Sequence, residues 1–481
     1  MRSWVAGGLV FLSAASVLVL EILALRILAP YVGVTLQTFT GIIGTVLAGI
    51  AVGAWLGGLA ADRFDPAALL GPVLVGGGIL VIATPAIVTA VGPSLGGESA
   101  VQIVMLSFIG FFLPAAVLSA VAPIVAKLAL RSLEQTGAVV GRLSALGTAG
   151  AIFGTFVTGF VLVAALPSRP ITWVVGGLLI VIGVVVTVPD LRRWVLVGAV
   201  PLLVVALGLA VSITGPCDLE TAYFCVQIRV DPDRPTGREL TLDTLRHSYV
   251  DLEDPSYLGS RYARVIAATI EATQPEGTID TLYIGGGGFT LPRHQQTTRG
   301  GTATVLEIDE ELVRVVEDRL GLERGPWLSV RVGDARMGLA DTEPGGYDVV
   351  VGDAFGGPSV PWHLTTVEFV AAIRDRLRPD GIYALNLIDH PPTQFARAET
   401  ATLLAVFPHV AVIAHKPQLK GERGGNFVLV GSNEPLDQTR LAEMMRDGES
   451  VLTGDQSATF AGSALVLRDE YAPVDQLLGR P

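Results

Sequence analysis

Cysteine is nearly absent from this chain: two residues in 481, Cys217 and Cys225. No histidine sits in a ligand-like cluster beside them, so metal binding is poorly supported and none is expected. Charge is scarce as well, at 16% of residues. That scarcity belongs to residues 1–213, which hold nine Lys/Arg and six Asp/Glu. The rest of the chain lacks positive charge instead, with 24 Lys/Arg against 39 Asp/Glu, a net of −15. So acidic a half repels phosphate backbones, which argues against nucleic acid as a partner. It would attract a small cationic substrate, although acidity serves solubility equally well. A clean G-x-G-x-x-G is also missing, which argues against dinucleotide binding.

What the first half does contain is long apolar runs. A spanning helix needs about 20 mostly apolar residues. Seven runs qualify, near 4–28, 38–60, 68–92, 101–126, 143–166, 170–189 and 194–214. The first is too long for a signal-peptide core and no cleavage site follows it. Seven spans place the chain ends on opposite sides. Arg2, Arg63, Lys127, Arg131, Arg142, Arg192 and Arg193 then share the N-terminal side, against Arg26 and Arg169 on the other. The positive-inside rule puts the N-terminus in the cytoplasm and the C-terminal half outside. The close pair Cys217 and Cys225 fits an oxidising compartment, where a disulfide is expected. Gly49-xxx-Gly53-xxx-Gly57 and Gly150-xxx-Gly154 let helices approach closely in lipid. Glu21 and Arg26 are the charges deep within a span, a pair that suggests transport or simple mutual pairing.

The second half opens with hairpin-like alternation over 223–252, with a turn at Asp231-Pro-Asp-Arg-Pro-Thr-Gly237. A helix near 257–272 follows. Strands are then expected at 281–285, 303–308, 328–332, 347–352 and 382–387, with helices at 310–320, 364–377 and 394–405. Runs at 408–414 and 426–431 complete a seven-stranded sheet. This rhythm implies a mostly parallel sheet with ligands at its carboxyl ends.

The chemical motifs fall at those ends. Tyr283-Ile-Gly-Gly-Gly-Gly288 supplies a turn where backbone can approach a ligand closely. Glu307, in Leu306-Glu-Ile-Asp309, comes 22 residues after Gly285, near the spacing of a ribose-binding carboxylate. Asp334, in Gly333-Asp-Ala-Arg336, stands where an adenine amino group seeks an acceptor. Asp353, in Gly352-Asp-Ala-Phe355, stands beside the reactive group. Each acid taken alone could equally be a helix cap. Four strand ends in order favour a nucleotide-type site. His390 is an alternative base, though a lone loop histidine is more often incidental.

The second half resembles the polyamine aminopropyltransferases, the spermidine synthase family, and the whole chain is similar to membrane-fused bacterial members. Leu20-Glu-Ile-Leu-Ala-Leu-Arg-Ile-Leu-Ala-Pro-Tyr-Val-Gly33 and Gly141-Arg-Leu-Ser-Ala-Leu-Gly-Thr-Ala-Gly-Ala-Ile-Phe-Gly154 carry that second likeness, with Glu239-Leu-Thr-Leu-Asp243 and Gly425-Asn-Phe-Val-Leu-Val-Gly-Ser432 in the soluble half. The resemblance implies a nucleoside site of Gly285, Gly286, Gly287, Glu307, Asp309, Asp334 and Ala335. It makes Asp353 the acid that orients and deprotonates an amine, with Tyr262 near the substrates. Departures are clear: Gly288-Phe289 replaces an aspartate of the glycine turn, and Ala263 follows Tyr262 where a polar residue is usual. Asp353 is followed by Ala-Phe-Gly-Gly-Pro, so the second acid that helps hold a diamine is missing.

The expected architecture is therefore an N-terminal seven-helix transmembrane bundle (1–214), a linker and β-hairpin region (215–256), and a C-terminal α/β Rossmann-like domain of the seven-stranded methyltransferase and spermidine synthase type (257–481). The expected function is a multi-pass transferase of the bacterial cell membrane, with membrane lipid as a partner. It would move an aminopropyl group from decarboxylated S-adenosylmethionine to a small cationic amine, with no tightly bound cofactor. Alternatives are an S-adenosylmethionine-dependent methyltransferase, or a non-catalytic polyamine or nucleoside binding or transport protein. A homodimer is among the assemblies left open. Decarboxylated donor is made inside the cell, which conflicts with an outward-facing domain.

Overall fold

The computed structural model describes residues 3–97, 99–130, 136–187, 189–213, 215–274, 276–355 and 360–479, without the side chains of 189–196 and 209–210. Arg2 and Arg131, counted for orientation, lie outside this set, as do Gly356, Gly357 and Pro358 after Asp353. The chain divides into two compact units, Met1–Cys225 and Val226–Pro481.

The first unit is helical. Among the described residues six helices are long and apolar enough to cross a membrane: Ser3–Val32, Leu36–Arg63, Pro66–Leu95, Ala100–Ala129, Thr136–Ala165 and Ser168–Val186. The expectation of seven is therefore corrected. The last helix, Pro189–Ser212, exists, but its described apolar stretch is only Val197–Gly208. Asp190, Arg192 and Arg193 charge its start. Six spans would put the two ends on the same side, so the orientation drawn from seven has no support.

Leu20, Leu28, Leu74, Phe111 and Leu118 are fully buried in the helical core. The small-residue stripe sets how closely helices meet. A Cβ at Gly53 would stand 1.9 Å from the Ala116 carbonyl oxygen, and one at Gly150 would stand 2.1 Å from that of Phe11. Arg26 does not pair with Glu21. Its guanidinium meets Glu220 at 3.1 Å and donates to the carbonyls of Val163 and Thr221. Glu220 also accepts from the Ser168 amide at 3.1 Å, capping the helix that begins there. Arg26 is thus a structural strut. The short strand β1 (Leu219–Glu220) lies between Cys217 and Cys225, which form a disulfide.

The second unit begins with an antiparallel meander of β2 (Cys225–Asp231), β3 (Arg234–Leu242) and β4 (Leu245–Asp251). The first turn is tighter than the sequence suggests. Strand β3 starts at Arg234, and a register shift at Val230/Asp231 leaves Pro235, Thr236 and Gly237 of β3 without partners on β2. Helix Arg261–Thr273 follows. The main sheet comprises β5 (Thr281–Ile284), β6 (Ala303–Glu307), β7 (Leu328–Val332), β8 (Tyr347–Gly352), β9 (Leu377–Asp389), β10 (His409–His415), β11 (Gly425–Ser432) and β12 (Glu449–Thr453). Its order is β12-β10-β11-β9-β8-β5-β6-β7.

The five strands from β7 to β9 run parallel, while β11, β10 and β12 pair antiparallel. The sheet has eight strands rather than seven. The missed strand, β12, has the burial pattern of an edge, with one buried residue in five, so it lacks the apolar run that marked the others. Strand order reverses between β5 and β8, where such folds open a crevice at the carboxyl ends. Val305, Val349, Val350, Val351, Ala384 and Leu387 are fully buried, as strands covered on both faces require.

Candidate active site

Strand β5 delivers the glycine turn at the switch point. Gly285 has φ +95°, and a Cβ there would lie 2.4 Å from the carbonyl oxygen of Asp353. Both facts require glycine: the backbone is left-handed and β8 has no room to give. The turn is held from two directions. Ser248, on β4, accepts from the Gly288 amide at 2.9 Å. Glu307, at the end of β6, accepts from the amides of Gly286 (2.8 Å) and Gly287 (3.2 Å) on one oxygen. Its other oxygen accepts from the Asp309 amide at 3.0 Å.

Glu307 is only 5% exposed. Burial pushes its pKa up, opposed by the three amides. A carboxylate accepting three amides at a strand end is rigidly aimed, with one lone-pair site left over, on the oxygen that accepts from Asp309.

Asp309 and Asp334 both serve as helix caps. Asp309 accepts from the amides of Glu311 and Leu312 and is buried. Asp334 accepts from those of Arg336 (2.9 Å) and Met337 (3.2 Å). Its second oxygen meets His363 Nε2 at 2.9 Å. Burial acts upward on Asp334, but the amides and His363 together hold it below the usual carboxylate range. Ala335 is buried behind it in the first turn. Nothing in the sequence near Asp334 pointed to His363, which arrives from a separate loop. The exposed apolar residues Ile308, Met337 and Trp362 are chain neighbours of Glu307, Asp334 and His363.

Asp353 is the chemically poised group. It follows β8, beside the glycine turn, and Asn386 on β9 donates to its Oδ1 at 2.9 Å. Asn426 on β11 donates in turn to Asn386 Oδ1 at 3.0 Å, fixing the amide's orientation. Tyr262 lies close enough to Asp353 to act on its charge, while its hydroxyl donates to the His247 carbonyl at 3.2 Å. Burial raises the Asp353 carboxyl to about 6, against the lowering effect of Asn386 and Tyr262. Burial and the nearby carboxylate push the Tyr262 hydroxyl well above its ordinary range.

Asp353 and Tyr262 share the wall of a cavity of about 430 Å³ with His247, Asn386, Gln418 and Asn426. His390 does not line it. Neither Asn386 nor Asn426 was singled out from the sequence. Asn386 sits inside the buried run of β9, and a polar residue within a buried strand is the available signal; Asn426, second in β11 and half-buried, has no such signal. Among the described residues no group of three His, Cys, Asp or Glu could hold a metal ion.

No family model matches the chain, and no curated protein matches it. Among solved structures it is similar to a probable spermidine synthase from Corynebacterium glutamicum, at 29% identity and a TM-score of 0.49, over 54% of this chain and 96% of that one. It is also similar to spermidine synthase from Thermotoga maritima, at 15% identity and a TM-score of 0.35, over 53% of this chain and 81% of that one. Human methyltransferase-like protein 13, in complex with SAH, aligns at 19% identity and a TM-score of 0.33, over 45% of this chain and all 100% of that one.

Proposed function

We propose that the α/β unit is a transferase that uses an adenosyl sulfonium donor to alkylate an amine, with aminopropyl transfer as its reaction and the apolar helices as its membrane anchor. The observation that carries this reading is Asp353. It is a half-buried carboxyl, raised by desolvation to about 6 and held by Asn386 beside the glycine turn. In the proposed step the neutral amine attacks the methylene carbon next to the sulfonium. A C–N bond forms and the C–S bond breaks, and sulfur keeps the electron pair as a neutral thioether. The proton shed by the new ammonium passes to Asp353. Such a displacement needs alignment and a base more than covalent help, and a carboxylate near neutrality suits the second task.

The proposed nucleoside site places Gly285, Gly286 and Gly287 around the donor's amino-acid end, Glu307 at the ribose and Asp334 at the adenine. Asp309 and Ala335 support it through the helices they begin. Methyl transfer on the same scaffold is the second reading, since the polar shell of Asp353 suits either group. The two are separated by product. Purified full-length protein is offered decarboxylated and ordinary S-adenosylmethionine with a panel of amines. Methylthioadenosine marks aminopropyl transfer and S-adenosylhomocysteine marks methyl transfer. Absence of both, together with no nucleoside binding by calorimetry, defeats the transferase reading.

The transport alternative loses its pairing argument, because Arg26 is committed to Glu220. Unchanged polyamine uptake into vesicles by Glu21→Gln would remove what remains of it.

A further inference from the structure

The cavity in front of Asp353 has the wrong charge for a simple diamine. Three guanidinium side chains line it, those of Arg246, Arg261 and Arg423, against one carboxylate, Asp353 itself. A diamine carries a second ammonium away from the attacking nitrogen, and that ammonium needs an acceptor, not a cation. In the sequence, residues 356–359 after Phe355 are Gly-Gly-Pro-Ser and carry no acid.

Two of the arginines are partly balanced. Arg246 meets Glu239 at 3.3 Å, and Arg261 approaches Glu449 at 3.8 Å and Gln418 at 3.5 Å. Neither glutamate lines the cavity. Arg423 is exposed, and no hydrogen bond or ion pair of its side chain occurs among the described residues. It follows helix Lys416–Leu419 on the approach to β11. The neighbouring polar residues Asn386, Gln418 and Asn426 are amides, which do not neutralise a guanidinium. A planar fork of donors without a partner suits a carboxylate, which it can grip with two parallel bonds.

From this arrangement we infer that the acceptor is a zwitterion: an amine that also carries a carboxylate, with the amine at Asp353 and the carboxylate held by Arg423 and its neighbouring arginines. The inference rests on the transferase reading for the chemistry, but the recognition it describes can be measured by binding alone. It explains the loss of the second acid as a change of substrate class rather than a loss of activity.

Matched pairs that differ only by a carboxylate test it: L-ornithine against putrescine, and L-lysine against cadaverine. Calorimetry on the detergent-solubilised full chain, with and without saturating methylthioadenosine, should show the amino acid binding ~10–100-fold more tightly than its decarboxylated partner. Arg423→Gln should abolish most of that ratio while the melting temperature stays unchanged. The exposed position of Arg423 makes that variant safe for folding. Equal or tighter binding of the diamines, no binding of either amine, or a ratio untouched by Arg423→Gln overturns the inference. If Arg423→Gln instead weakens S-adenosylmethionine and spares ornithine, the carboxylate is the donor's, and the inference is likewise overturned. Absence of nucleoside binding counts against the transferase reading alone, because the ornithine and putrescine titrations still report on the cavity.

Discussion

Glycine does different work in the two units. In the helices it matters for the side chain it lacks. Gly49, Gly53 and Gly57 lie against Phe112, Ala115, Ala116 and Ala120 on the facing helix, at spacing of one residue per turn. In the α/β unit it matters for its backbone as well, since Gly285 at φ +95° and Gly287 at φ +50° adopt conformations that other residues avoid. The helical stripe can be read as packing from its period alone. The turn is four glycines in a row, and its meaning depends on what the neighbouring strands bring against it. The half-buried acids follow the same division. In the helical unit Glu220 ties a helix end to Arg26, a purely structural task. In the sheet, Asp353 is held at a wall of open space with its proton loosely assigned.

The sharpest test of that contrast is Asp353→Asn. It should slow transfer by about 10²–10⁴-fold, the usual scale for a general base, with nucleoside binding retained in a titration of methylthioadenosine. In the unaltered protein the rate should rise as pH passes upward through about 6, because the base must be unprotonated. Stability runs the other way. The folded carboxyl, raised from 3.8 to about 6, binds its proton more tightly than the unfolded one. Native stability therefore falls as pH climbs from about 4 to about 6 and stays lower above, by on the order of 3 kcal/mol. Asp353→Asn should then melt higher than the parent at pH 8 and nearly equal at pH 4. Equal melting at both pH values would place Asp353 in a solvated site instead.

The two kinds of glycine come next. Gly53→Val drives a side chain into the Ala116 carbonyl and should destabilise the helical unit by about 1–3 kcal/mol or more, leaving nucleoside affinity intact. Gly285→Ala should do the reverse, removing nucleoside binding with little effect on the helices. Limited proteolysis of each unit, alongside calorimetry, separates the two. A Gly53→Val protein that loses nucleoside binding would show that the units are coupled.

Glu307→Ala removes the brace of the glycine turn and the proposed acceptor for the ribose. It should weaken nucleoside binding by about 10–100-fold, one to two charge-assisted hydrogen bonds. The smallest effect belongs to the solvent-exposed pair of Lys127 and Asp62, at 2.5 Å. Lys127→Ala should change stability by about 0–1 kcal/mol, and a larger loss would mean that the pair is shielded from water.

Much of the candidate site was legible because a parallel sheet puts its chemistry at strand ends, and strand ends can be counted. Glu307, Asp334 and Asp353 all fall there. Their partners were not legible. His363 reaches Asp334 across 29 positions, and Asn386 reaches Asp353 across 33; contacts that distant carry no local signal. The edge strand β12 was missed for a related reason, since an edge buries too little to show a pattern. The count of seven spans failed at the last helix, where hydropathy over a window passed a segment whose described apolar part is short.

Composition and periodicity by themselves determined that this chain joins an apolar helical half to an acidic α/β half, and that glycine and acids would meet at the carboxyl ends of strands. Both are local properties, set by hydrophobic period and by the residues allowed at a turn. Only the folded chain decided what those acids do. It made caps of Asp309 and Asp334 and a brace of Glu307, and it set Asp353 against Asn386 with a raised pKa, because a carboxylate's task depends on which donors and how much water the fold leaves around it. It also brought Arg246, Arg261 and Arg423, separated by up to 177 positions in sequence, to one cavity. Long-range electrostatics of that kind exists only once the sheet has closed.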